Sequence, residues 1–90
     1  MKKINLSRIT VKTLDEQELQ FDIRNEFSNH LYLAGRNLQE VELARRLYYS
    51  RDDDDVNEEE AKFIIETAKK VGYIFLIRKA IAETLGMKAE

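Results

Sequence analysis

A chain of 90 residues, 43% hydrophobic and 36% charged, bounds one small domain with a modest core, one that gains from a partner subunit. It contains no cysteine, which excludes disulfides, thiolate metal sites and cysteine nucleophiles. The net charge of −2 is uneven, because seven of the 17 acidic residues lie within Asp52–Glu60 and the remainder is mildly basic.

The N-terminus is basic but lacks the apolar stretch of a signal peptide. The longest apolar run, Tyr73 to Ile77, is far short of the roughly 20 residues that a bilayer requires. With cysteine absent as well, the expectation is a soluble cytoplasmic protein with no membrane association.

Near the N-terminus, Ile4 and Leu6 alternate in opposite phase to Ile9 and Val11, and a bulge or bend near Ser7-Arg8 reconciles the two. Ile9 and Val11 alternate with Thr10 and Lys12, and Leu19, Phe21 and Ile23 alternate with Gln20 and Asp22. This period of two predicts a pair of half-buried strands. The connection Leu14–Glu18 has hairpin length but no Asn-Gly or Asp-Gly pair, so its turn type stays open.

Helical spacing follows. Phe27, Leu31 and Ala34 predict a helix from about Glu26 to Ala34, with Gly35 closing it in a left-handed conformation. Asn37-Leu38-Gln39-Glu40 has the form of a capping box. The helix it opens runs to about Tyr49, with Leu38, Val41, Ala44, Leu47 and Tyr48 inward and Leu43 widening the stripe. Asn57-Glu58-Glu59-Glu60 is a second box, and its three glutamates suit the positive end of a helix dipole. Ala61, Ile64, Ile65 and Ala68 carry that helix toward Gly72, which ends it or lies within a longer one. The segment Tyr73–Leu85 reads as a last helix with Ile77, Ala80, Ile81 and Leu85 buried. Tyr73-Ile77 also reads as a short buried strand, but the spacing that follows favours helix.

The fold expected is therefore α+β: one domain over residues 1–90, with an N-terminal β-hairpin region at 1–24 and three or four α-helices over 25–86. A lone hairpin leaves two open edges. The helices, a third strand from Lys2–Leu6, or the hairpin of another copy would have to cover them.

The chemistry-bearing residues are few. No frame of the acidic run fits a calcium loop: counted from Asp52 the twelfth position is Phe63, and counted from Asp55 the sixth is Glu60, where glycine is needed. The run reads as a solvated loop ahead of a capped helix, and its alternative is a partner-binding surface made by Asp52, Asp53, Asp54 and Asp55. His30, the one histidine, has no cysteine to pair with, and Ser28 lies on a different face of its helix, so packing or surface polarity accounts for it better than catalysis. Arg45, Arg46 and Arg51 lie near Tyr48 and Tyr49 and could touch a phosphate backbone, but no nucleic-acid motif accompanies them. Tyr32, Tyr48, Tyr49 and Tyr73 suit a protein interface or a half-buried core position. Lys69, Lys70, Arg78 and Lys79 read either as a dock for the acidic segment of another molecule or as bases placed for the helix dipole. There is no glycine-rich phosphate loop, nucleophile elbow or zinc helix, and no catalytic residue, metal ligand or cofactor is assigned.

The sequence "KKINLSRITVKTLD", followed by "LQFDIRNEFSNHLYLAG", "ELARRLYYS" and "VNEEEAKFIIETAKK", resembles small accessory proteins encoded by phages and integrated prophages among their structural and assembly genes. That resemblance implies no catalytic residue. With the rest, it leads to the expectation of a non-enzymatic, self-associating assembly factor or adaptor whose partners are its own copies and another protein. The alternative is a small nucleic-acid-binding regulator using Arg45, Arg46 and Arg51.

Overall fold

The computed structural model describes residues 2–50, 53–73 and 75–86. In chain order they form β1 (Lys2–Ile4), β2 (Ile9–Lys12), β3 (Glu18–Phe21), α1 (Arg24–Ala34), α2 (Leu38–Tyr49), β4 (Asp54–Val56), α3 (Glu58–Val71) and α4 (Phe75–Thr84). The class is α+β, an N-terminal hairpin followed by four helices, as the periodicity predicts.

The phase change after Leu6 is a turn. Asn5 Oδ1 accepts the Ser7 N–H at 3.0 Å, and the Arg8 N–H donates to the Asn5 carbonyl at 3.2 Å. β2 and β3 then pair antiparallel, with Ile9 opposite Phe21 and Val11 opposite Leu19. The hairpin closes without glycine. The Glu16 N–H donates to the Thr13 carbonyl, the Thr13 N–H to the Gln17 carbonyl at 2.9 Å, and Glu16 takes a left-handed φ of 63°. This is the three-residue loop in which a turn is followed by one left-handed residue. The Thr13 hydroxyl bonds the Asp15 carboxylate and holds it below the usual carboxylate range.

The hairpin is less symmetrical than its alternation predicts. Ile9 and Val11 are buried, whereas Leu19 and Phe21 remain 47% and 36% exposed. β2 packs against α4, and β3 lies one strand farther out. Ile23, beyond β3, is buried again, and its N–H donates to the Leu6 carbonyl at 2.9 Å. That anchor starts α1 two residues before the expected Glu26, with the Arg24 N–H donated to Asp22 Oδ1.

Lys2–Leu6 does supply a strand, but it does not join the hairpin. β1 pairs antiparallel with β4, Lys2 opposite Val56 and Ile4 opposite Asp54. Part of the acidic run is therefore a strand and not a solvated loop. Aspartate is a poor strand former, and a three-residue strand with one apolar side chain has no readable period. Its support is tertiary: Val56 and Ile4 are buried, and Lys3 faces Asp55 at 3.8 Å.

Gly35 does not take the left-handed conformation expected of it; its φ is −60° and its ψ 129°. Glycine is needed there for space, because a Cβ would meet Val41 Cγ2 at 2.8 Å at the corner between α1 and α2. The box at Asn37 is half-formed. Asn37 accepts the Glu40 N–H, but the Glu40 carboxylate binds Arg36 through the backbone N–H at 2.8 Å and the guanidinium at 2.9 Å. That pairing lowers the Glu40 pKa. The box at Asn57 is complete in both directions, and Gly72, at φ 85°, ends α3. α4 begins at Phe75, so Phe75–Ile77 is helical; Ile74 lies outside the described residues.

Phe27 and Leu31 of α1, Leu43 and Leu47 of α2, Ile64 of α3 and Ile81 of α4 meet in one core with Ile4, Ile9 and Val56. The inward stripe of α2 runs through Leu43, Ala44 and Leu47, which turns Leu38 and Tyr48 outward against expectation. The Tyr73 ring packs edge-on against Phe27 at 5.6 Å, and burial pushes its phenol up to about 12, with Glu26 adding to the shift.

Candidate interaction surfaces

Part of the acidic segment and one of the three arginines, Arg46, come together in an intramolecular clamp. Arg46, on the last turn of α2, reaches Asp54 at 3.7 Å and Glu60 at 3.5 Å, and its Nη2 donates to the Asp55 carbonyl at 3.0 Å. One guanidinium thus ties α2 to β4 and to the first turn of α3. Asp54 is half-buried, and its Oδ2 is sealed from solvent without a hydrogen-bond partner. Asp53 and Asp55 are exposed, with Glu58 and Glu59 beside them at the start of α3. Asp52 and Arg51 lie outside the described residues. Among the described residues no group of three or more His, Asp or Glu side chains is placed to hold a metal ion.

Arg45 faces outward, in contrast to Arg46, and makes no ion pair among the described residues. It lies beside Tyr48 and Tyr49, whose rings meet edge-to-face at 5.0 Å. Tyr32 of α1 faces the same cleft. His30 is half-buried on α1 and does not line that cleft. Of the C-terminal bases, Lys69 and Lys70 are exposed in the last turn of α3, where the dipole favours them. Lys79 pairs with Glu83 at 3.8 Å, and the Arg78 guanidinium lies 5.8 Å from the centre of the Phe75 ring.

Four of the large apolar side chains left partly exposed lie on β3 and α4. β3 presents Leu19 and Phe21 on the sheet face whose other half, Ile9 and Val11, is buried. The first turn of α4 presents Phe75 and Leu76, each nearly half exposed. Leu76 shares a groove with Val11 and Glu18 of the hairpin, and Arg8, Lys12 and Lys79 border it. Among the described residues the outer edge of β3 has no strand beside it. The alternation of the hairpin indicates these apolar residues but not their exposure, since period two marks a face and not what covers it. No helix of the described residues is long and apolar enough to cross a membrane.

Comparison with protein families, curated proteins and solved structures finds no match to this chain.

Proposed function

We propose that this protein is a non-enzymatic interaction protein that self-associates through the hairpin, an assembly factor or adaptor of the kind that phages and integrated prophages encode. The observation that carries the reading is the β3 edge. Among the described residues it has no strand beside it, and it carries two large apolar side chains that remain partly exposed. A second β3, antiparallel across a twofold axis, would extend the sheet to four strands and bring Leu19 and Phe21 of the two copies side by side on one face. Phe75 and Leu76 would border that contact. The exposed carboxylates of Asp53, just ahead of β4, and of Asp55, which faces Lys3 across the β1–β4 sheet, would meet a further, cationic partner. The phage association is supported by the sequence resemblance alone.

Light scattering at about ten micromolar tests the reading, since micromolar affinity corresponds to about −8 kcal/mol of association free energy. A dimer or larger species is expected, and the double substitution Leu19→Glu with Phe21→Glu is expected to leave a folded monomer. A wild-type monomer at that concentration would remove the proposal. The alternative, a nucleic-acid regulator using Arg45, Arg46 and Arg51, has less support, because Arg46 is held by acceptors on β4 and α3.

A further inference from the structure

We propose that the cleft between α1 and α2 binds a mononucleotide, its base against the tyrosine rings and its phosphate on Arg45. The inference is independent of self-association and rests on different residues. Two helix faces form the cleft, each with its lining residues at i, i+4 spacing: Ser28 and Tyr32 on α1, and Arg45 and Tyr49 on α2, with Tyr48 alongside. Its floor is made of small residues, Ser28 and Ala44, and its walls of tyrosines. The space is about 460 Å³, within the ordinary range for small-molecule sites.

Ser28 points to a ligand. The residue is 1% exposed, and its hydroxyl has no hydrogen-bond partner, not even the carbonyl one turn earlier that a helical serine commonly uses. A buried hydroxyl left in this state is costly, and because Ser28 lines the cleft, rotation of its side chain toward the cleft would let an entering group satisfy it. Asn29 adds an amide that both donates and accepts. A nucleobase brings a flat π-face for tyrosine and an edge carrying donors and acceptors for these two side chains. Arg45 supplies the guanidinium fork that suits a phosphate.

The charges set the size of the ligand. Arg45 is the one cation among the described residues that line the cleft, Glu42 is close to it, and Arg46 is occupied at β4. A polynucleotide backbone needs a run of cations, whereas a single phosphate needs one.

Amide chemical-shift titration of the intact chain tests this with AMP, GMP, CMP and UMP, and with adenosine, inorganic phosphate, a decathymidylate and the peptide acetyl-Phe-Glu as comparison ligands. At least one mononucleotide is expected to saturate with a Kd below about 1 mM, moving the Ser28, Asn29 and Arg45 amides. Removing the phosphate or substituting Arg45→Ala should weaken binding about tenfold or more. Ser28→Ala should also weaken binding without lowering the melting temperature, since it removes a hydroxyl that no group in the fold satisfies; a purely structural serine would show the reverse. No saturation by any of the four nucleotides, unchanged binding in Arg45→Ala, or tighter binding of the decathymidylate or the peptide would overturn the assignment.

Discussion

Glu16 holds the hairpin turn at a φ of 63°, a conformation that costs an L-residue about 1–2 kcal/mol. Its side chain is exposed and makes none of the turn's hydrogen bonds, which come from its N–H and from Thr13. Glu16→Gly should therefore stabilise the protein by about 0.5–1 kcal/mol in urea unfolding, the relief of strain exceeding the added chain entropy. A loss of stability would show that the glutamate itself supports the turn. Tyr73 predicts a pH dependence. Its hydroxyl is sealed from solvent without a partner, and its pKa rises from 10.0 to about 12. The unfolded phenol ionises first, so between these values the folded chain retains a proton that the unfolded chain has lost. The contribution of the neutral phenol is complete below pH 10 and disappears as pH rises through 12. Unfolding free energies measured at about pH 9 and 11 should fall more in the wild type than in Tyr73→Phe, and equal losses in the two would count against the shift.

Between elements, the short strand β4 depends on its neighbours. A three-residue pairing with β1 is marginal alone, and the Arg46 clamp adds one charge-assisted hydrogen bond and two longer ionic contacts at its flank. Arg46 is 45% exposed at its side chain, so the ionic part is weak and the hydrogen bond to the Asp55 carbonyl dominates. Arg46→Ala should lower global stability by only about 1 kcal/mol. Its main effect should be local: faster amide exchange at Asp54–Val56 and little change in the middle of α3. Uniform acceleration across both would show that β4 opens only with the whole fold. Lys in place of Arg46 cannot span the same acceptors with one planar fork, so Arg46→Lys should exchange almost as fast as Arg46→Ala.

At the level of the folded chain, the core is closed but the hairpin is not. The Cα radius of gyration, 12.3 Å, matches the roughly 12 Å expected of a 90-residue globule, and the core side chains of all four helices are buried. The exposed Leu19, Phe21, Phe75 and Leu76 are thus a surface feature and not a sign of an incomplete core. If that surface joins two copies, association stabilises the fold by mass action. The melting temperature should rise with protein concentration in the wild type and be independent of it in the Leu19→Glu, Phe21→Glu variant. A concentration-independent wild-type melt would argue against the hairpin as a subunit contact.

The helices, the complete cap at Asn57 and the left-handed Gly72 are legible in sequence because their causes lie within a few residues: a period, a side chain three positions away, a missing Cβ. The alternation of β2 and β3 is legible for the same reason. The pairing of β1 with β4 is not, because its partners lie some fifty residues apart and β4, unlike the alternating Ile4 and Leu6, has no pattern of its own. Gly35 looks like a helix stop, yet its reason is Val41 across a corner. Arg45 and Arg46 are the same residue type side by side, and only the position of β4 occupies one and leaves the other outward. The orphaned hydroxyl of Ser28 and the tyrosine walls of its cleft also arise only when α1 meets α2. Local rules select which face of an element is apolar; what that face meets depends on contacts between distant segments, and the packed chain alone decides those.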